Sequence, residues 1–187
     1  ITVSTGIGSG IINDGRLILG KTGIGSEAGH MVMIVENDRV STLEKEGAGP
    51  ALARQAREKI QSGEKSLLSE MSNNELDKID GKMLNDAVKA GDDLAIEIAK
   101  RGGRIVGFGL ANLLHIFNPE VVVIGGGVSY IGDLWFDEVR KAVQANTIDD
   151  DYWKDTPIIP SEISEDVSIL GSATLVLTKG NKKKLSN

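Results

Sequence analysis

Glu27, His30 and Glu44 are the side chains in this sequence best suited to handling a small polar ligand. Glu27 and His30 stand three residues apart in Glu27-Ala28-Gly29-His30, with Gly29 permitting an unusual turn between them. Carboxylates accept hydrogen bonds and an imidazole both accepts and donates, which suits the neighbouring hydroxyls of a sugar. The same pair is compatible with a metal ion or with an exposed polar loop. His115, the other of the two histidines, falls in a long helical pattern and reads as structural.

Two glycine-rich stretches add a second kind of chemistry. In Thr5-Gly6-Ile7-Gly8-Ser9-Gly10 the glycines let backbone N–H groups turn toward an anion, and they let a phosphate approach with no Cβ in the way. Thr5 and Ser9 add hydroxyl donors. No Gly-Lys-Ser/Thr follows, so this is not a Walker A loop. Residues 11–19 read as a hairpin, not as the helix a dinucleotide fingerprint requires, which disfavours an oxidoreductase domain. A plain hairpin turn is the simpler alternative. The second stretch, Gly125-Gly126-Gly127-Val128-Ser129, follows an apolar run at residues 121–124. Ligands of open α/β sheets bind beyond the carboxyl ends of strands. Gly125, Gly126 and Gly127 therefore form either a shelf for ribose or adenine, or a tight strand-to-helix turn.

The elements that must position these residues read as follows. Residues 1–35 carry strands and hairpins, with Asn13-Asp14-Gly15 as a hairpin turn between apolar runs. Residues 21–29 form a loop and 31–35 a buried strand. A helical pattern starts near Ser41, with Ser41 or Thr42 as cap and Leu43, Leu52 and Ala53 on one apolar face. Residues 61–82 are polar and read as surface helices and turns without chemistry. Asp92 or Asp93 caps a long helix reaching Phe117. Four glycines at 102, 103, 107 and 109 would each cost about 1 kcal/mol against alanine. They imply close approach of either a packed helix or a nucleotide. Residues 121–124 predict a strand buried on both faces. A helix over 132–144, a short strand or turn at 157–160, a final helix within 169–177 and a lysine-bearing frayed tail at 179–187 follow. This is one α/β domain.

Composition sets the outer bounds. The 187 residues are 40% apolar and 26% charged, an ordinary globular balance. There is no cysteine, hence no disulfide framework and no thiolate metal site. The net charge of −6 argues against non-specific nucleic-acid binding. No apolar run approaches the ~18 residues needed to span a bilayer, and no signal-peptide pattern is visible, so the expected compartment is cytoplasmic. The opening Ile1-Thr2-Val3 runs as a strand straight into a glycine loop, which suggests a piece of a longer protein.

In this order the motifs resemble the ROK family (repressors, open reading frames and sugar kinases), and most of all its glucokinases. The resemblance runs through residues 4–12, Gly15-Arg16-Leu17, Gly25-Ser26-Glu27-Ala28-Gly29-His30, Leu43-Glu44, Gly49-Pro50-Ala51, Asn118-Pro119-Glu120 with residues 121–129, and Gly171-Ser172-Ala173. It implies an actin-like, ribonuclease-H-like lobe with a mixed sheet and flanking helices, in which a glycine turn between strands holds phosphates. It implies that the chain is the carboxy-terminal lobe of a two-lobe sugar kinase, using ATP and Mg²⁺ to phosphorylate a hexose, glucose at O6 first. N-acetylmannosamine, N-acetylglucosamine and fructose are alternative substrates. By position, Thr5, Gly6, Gly8, Ser9 and Gly10 would serve the phosphates, and Gly125, Gly126 and Gly127 the adenosine. Glu27, His30 and Glu44 would contact the sugar. The catalytic Asp of such kinases belongs to an amino-terminal lobe, so no catalytic residue and no metal ligand is expected in this chain, and the fragment alone is expected to be inactive. The family's cysteine zinc knuckle has no counterpart here, so no zinc is expected and His30 must be held another way. The resemblance also implies a homodimer with no membrane partner. A sugar-responsive repressor of the same family is the alternative reading; its DNA contacts would come from a winged helix upstream.

Overall fold

The computed structural model describes residues 1–36, 39–163, 167–178, 180 and 181. The expected tail at 179–187 lies almost wholly outside them. The first strands are short: β1 (Thr2–Val3) and β2 (Ile7–Gly8) pair antiparallel around the turn at Ser4–Gly6. The hairpin of β3 (Ile12–Asn13) and β4 (Arg16–Leu17) closes through Asp14 and Gly15, both at positive φ (51° and 68°). That is the type I′ turn an Asp-Gly pair favours.

A second hairpin, β5 (Val32–Glu36) with β6 (Arg39–Thr42), replaces the single buried strand expected at 31–35. Val32 and Val40 are exposed, while Met31 and Met33 lean on the core. Thr42 then caps α1 (Leu43–Gly47), its hydroxyl accepting from the Lys45 N–H. The expected continuous helix breaks at Ala48, and α2 (Gly49–Gln61) restarts with Pro50 in its first turn, where its missing N–H costs nothing. α3 (Leu67–Met71) and α4 (Gly81–Lys89) follow, with Ser66 and Asp80 as caps. Asp92 caps α5 (Asp93–Phe117), accepting from the Ala95 N–H at 2.7 Å. Asn118 ends it in the left-handed conformation (φ 42°).

β7 (Val122–Ile124) runs parallel to β8 (Ile158–Pro160), and β1 joins β7 on its other side through a parallel bridge of Thr2 with Gly125. The order β2–β1–β7–β8 is a mixed ladder, as expected. The strand at 121–124 is buried on one face only, since Val121 and Val123 are exposed. α6 (Asp133–Asn146) packs along α5, and α7 (Val167–Leu177) completes the described helices.

α5 is the centre of the domain. One side meets α1 and α2, the other α6. The four glycines make this possible. A Cβ on Gly103 would come 2.7 Å from the Trp135 carbonyl oxygen, and one on Gly107 would come 2.5 Å from that of Val139. Cβ atoms on Gly102 and Gly109 would strike Leu52 and Leu43. Helix packing is therefore the reason for the glycines, and none of them borders the cavities described next. Burying side chains such as Leu52, Ile98, Leu110, Leu114 and Trp135 in this contact stabilises the domain by roughly 1.5–3 kcal/mol for each large aliphatic group.

Candidate functional site

β1 ends in the turn Ser4-Thr5-Gly6, and that turn divides two cavities. On one side, Glu27, His30 and Glu44 converge with the backbone of Thr5, Gly6 and Gly8 on a cavity of about 410 Å³. On the other, Ser4, Thr5 and Gly127 meet residues of α2 and α4 around a cavity of about 450 Å³. Ser4 and Thr5 belong to both.

Three elements build the first cavity. The loop before Glu27 is tied down by serines. Ser26, at positive φ (66°), donates to the Ile18 carbonyl at 3.1 Å. The Ser9 hydroxyl donates to the Ser26 carbonyl and accepts from the Ala28 N–H. Ser9 is thus committed to the loop, and with Gly10 it lies outside both cavities. Ala28–His30 form one turn of 3-10 helix. Gly29 does not have positive φ. It is glycine because a Cβ there would lie 2.1 Å from the Ile7 carbonyl oxygen. The loop therefore packs directly on β2, and this contact, with the two serines, holds His30 in place.

Glu44 comes from α1. Its Oε2 accepts from the Ile7 N–H at 2.9 Å, and a Cβ on Gly6 would lie 2.5 Å from the same oxygen. Glu44 is half-buried, whereas Glu27 and His30 are exposed. Two residues on, and so on another side of the helix, Glu46 is 1% exposed. It accepts from Ser41 at 2.7 Å, from Arg101 of α5 at 2.9 Å and from Arg39. Burial pushes its pKa up, but the Ser41 hydroxyl and the two guanidinium groups outweigh burial and hold it below the usual carboxylate range. Gln55 of α2 donates to the Glu46 carbonyl at 3.1 Å. α1 is thereby fastened to β6, α2 and α5 on the side away from Glu44.

The second cavity owes more to helix ends and backbone. α2 starts at Gly49, whose N–H donates to the Ser4 carbonyl at 2.8 Å. α4 starts at Gly81, and both glycines border the cavity. The positive ends of two helix dipoles therefore stand at its edge, a setting that favours anions. Arg57 and Lys82 add positive charge; Arg57 also donates to the Ile79 carbonyl at 3.0 Å. Ala53, Ile79, Val128 and Tyr130 supply apolar walls. Residues 79–82 lie within the 61–82 stretch expected to carry no chemistry, and the sequence reading missed them along with Arg57, Asn85 and Tyr130. Gly49-Pro50 was the available signal, a helix restart beside a glycine.

Gly125-Gly126-Gly127 divide their work. Gly125 exchanges hydrogen bonds with β1, donating to Ile1 at 2.9 Å and accepting from Val3 at 2.8 Å. Gly126, at φ 95°, lies so close to β1 that a Cβ would be 2.5 Å from the Val3 carbonyl oxygen. Only Gly127 of the three borders the cavity. The first two are the seam joining β7 to the strand that carries the turn. Among the described residues, no group of three or more His, Cys, Asp or Glu could hold a metal ion, and no helix is long and apolar enough to cross a membrane.

Known proteins resemble this chain in sequence and fold. The chain is 33% identical over 181 residues to a glucokinase of Thermotoga maritima, covering 94% of this chain and 56% of that protein. A crystal structure of a ROK family glucokinase from Streptomyces griseus, in complex with glucose and AMPPNP, superimposes with a TM-score of 0.83 at 28% identity. That match covers 93% of this chain and 58% of the other. A xylose repressor of Caldicellulosiruptor bescii is 26% identical over 95% of this chain and 45% of its own length. The chain thus spans little more than half the length of the glucokinases it matches. Its mixed ladder and flanking helices are the actin-like ATPase fold. A ROK family profile matches residues 1–179, nearly all of the 187, and the chain belongs to the ROK family.

Proposed function

We propose that this chain is the carboxy-terminal lobe of an ATP-dependent hexose kinase that phosphorylates glucose at O6. One observation carries the reading: the carboxylate-and-imidazole cavity and the helix-end cavity meet at a single turn, Ser4-Thr5-Gly6. A sugar in the first and a nucleotide in the second would bring hydroxyl and γ-phosphate together there. Positioning of this kind is where much of phosphoryl-transfer catalysis lies.

In this reading Glu27, His30 and Glu44 take sugar hydroxyls. Glu44 keeps Oε2 on the Ile7 N–H and offers Oε1 to the sugar. Thr5 and the Gly6–Gly8 backbone face the phosphates, and Gly127 with the α2 and α4 walls faces the nucleoside. The new bond joins O6 to the γ-phosphorus as the bond to the bridging oxygen of ADP breaks. The O6 proton passes to an Asp that the family resemblance puts in the amino-terminal lobe. Mg²⁺, when bound with ATP, neutralises phosphate charge. Among the described residues no group of three or more His, Asp or Glu side chains forms a site for it. The protein is proposed to act as a homodimer in the cytoplasm. This chain has no cysteine from which the zinc knuckle implied by the family resemblance could be built.

The repressor match extends over the same residues, so a sugar sensor without catalysis is the second reading. ADP release by the full-length protein, measured with Mg²⁺-ATP and a panel of hexoses, decides. Turnover with glucose, and little with N-acetylmannosamine, N-acetylglucosamine or fructose, is expected. Preference for one of those sugars would reassign the substrate. Sugar binding with no turnover on any hexose would overturn the kinase and favour the sensor.

A further inference from the structure

The span from His30 to Glu44 must hold both residues at one cavity, yet it carries few apolar anchors. It runs through the β5–β6 hairpin into α1; Met33 leans on the core, while Val32 and Val40 are exposed. With no cysteine in the chain, neither a disulfide nor a thiolate-bound metal can staple it. α1 has five residues, too few for a helix to stand by its backbone bonds alone. A short backbone thread joins the two ends of the span. The Leu43 N–H donates to the Met31 carbonyl, and the Met31 N–H to the Ala28 carbonyl, each at 3.0 Å. The 28–30 turn therefore follows the place that α1 takes.

Glu46 ties that place to the rest of the domain. Its carboxylate gathers Arg39 and Ser41 from β6 and Arg101 from α5. The hairpin and α1 are thereby bound to the helix around which the domain packs. Apolar contacts hold α1 as well: Leu43 is 2% exposed, and Gly47 lies against Ile105 and Val106. For stability alone those contacts would serve without a charge. Burying a carboxylate carries a desolvation penalty, and replacing a buried ion pair by apolar side chains is often neutral or stabilising. What a buried carboxylate with three donors adds is a single geometry, and the residue two places before it is Glu44.

We propose that Glu46 is a positioning residue for the sugar side of the site: its cluster sets where α1 presents Glu44 and, through the hairpin, where His30 stands. This rests on the sugar reading of the first cavity given above. The test is calorimetric titration of the hexose that the wild type binds best, and separately of ADP, into the full-length protein and its Glu46→Gln and Glu46→Leu variants. Melting temperature checks that each variant is folded. Glutamine keeps the shape and removes the charge; leucine removes every side-chain tie at similar volume. Hexose affinity is expected to fall about tenfold in Glu46→Gln and further in Glu46→Leu, whichever of the two melts higher. ADP affinity is expected to change much less. Arg39→Gln removes one arm of the cluster from a side chain that is 58% exposed, and it carries the test if a Glu46 variant does not fold. It is expected to weaken the hexose about threefold. Wild-type hexose affinity in the folded variants would overturn the proposal. So would an equal loss of hexose and ADP, or a hexose affinity that merely follows melting temperature from variant to variant. A wild type that binds no hexose would overturn the sugar reading itself, and the assignment with it.

Discussion

The two cavities on either side of the Ser4-Thr5-Gly6 turn are made in opposite ways. The first is a set of charged side chains on a loop and a short helix, each fixed by hydrogen bonds from outside the cavity: Ser9 and Ser26 for the loop, the Glu46 cluster for α1. The second is a wall of helix starts, apolar side chains and backbone, with few side-chain hydrogen bonds of its own. The first resists distortion and is suited to choosing among similar hydroxyl patterns. The second depends on how α2 and α4 pack, and its electrostatics come largely from peptide dipoles. Substitutions in the first should act on sugar affinity alone unless they reach the turn.

The sharpest break of that contrast is Gly29→Ala in the full-length protein. The new Cβ would lie 2.1 Å from a backbone oxygen that cannot swing away. The 27–30 turn must leave β2, and overpacking of this kind costs about 1–3 kcal/mol or more. Sugar affinity is expected to fall by about a hundredfold with nucleotide affinity little changed, measured by separate titrations. An equal loss of both would mean the two sides are not independently built.

Glu46→Gln should come next. It leaves Arg39 and Arg101 without their carboxylate, and since both are partly exposed the loss is expected near 1–2 kcal/mol, below that of a fully buried pair. Because the folded pKa of Glu46 is lowered, its contribution is fully present above the unfolded value of ~4.3 and is lost as pH falls through the lower folded one. The urea midpoint of the wild type should therefore drop as pH is taken from about 5 toward 3, more steeply than that of Glu46→Gln. Glu138 is also held low, burial being outweighed by Lys141 and Arg104, so the difference between the two proteins, not the wild-type curve alone, reports on Glu46. Parallel curves would remove the cluster from the account.

Smaller effects sharpen the roles within the first cavity. Glu27→Gln should weaken sugar binding about tenfold without touching stability, because Glu27 is exposed; unchanged sugar affinity would remove its assigned role. Ser9→Ala should cost about 1 kcal/mol of stability through its two lost hydrogen bonds and only a few-fold in sugar affinity. If it instead impaired nucleotide binding, Ser9 would belong to the phosphates after all.

The same contrast explains what could be read beforehand. Glu27 and His30 share one turn of chain, so their pairing was visible in local spacing, whereas Glu44 joined them only through the family resemblance. So were the Asp14-Gly15 turn and the Asp92 cap, whose chemistry is set within a few residues. The second cavity joins β1, α2, α4 and Gly127, segments up to about 120 residues apart, and no local pattern places Asn85 opposite Gly127. β6 was missed because Val40 is the one apolar residue of Arg39–Thr42 and it is exposed. Gly125 and Gly126 were legible as glycines but not in purpose, because the atom that demands them is the carbonyl of Val3 in another strand.

If Glu44 takes a sugar hydroxyl as proposed, its bond from the Ile7 N–H would make one carboxylate serve the sugar through one oxygen and the strand leaving the Thr5 turn through the other. Anything that pulls on Oε1 alters the hold on the turn, and a phosphate settling on the turn alters the carboxylate. The two proposed ligands would then bind with heterotropic cooperativity, and the factor by which sugar changes nucleotide affinity would equal the factor by which nucleotide changes sugar affinity. The order in which substrates add would be a preference, set by their concentrations and by this single shared link.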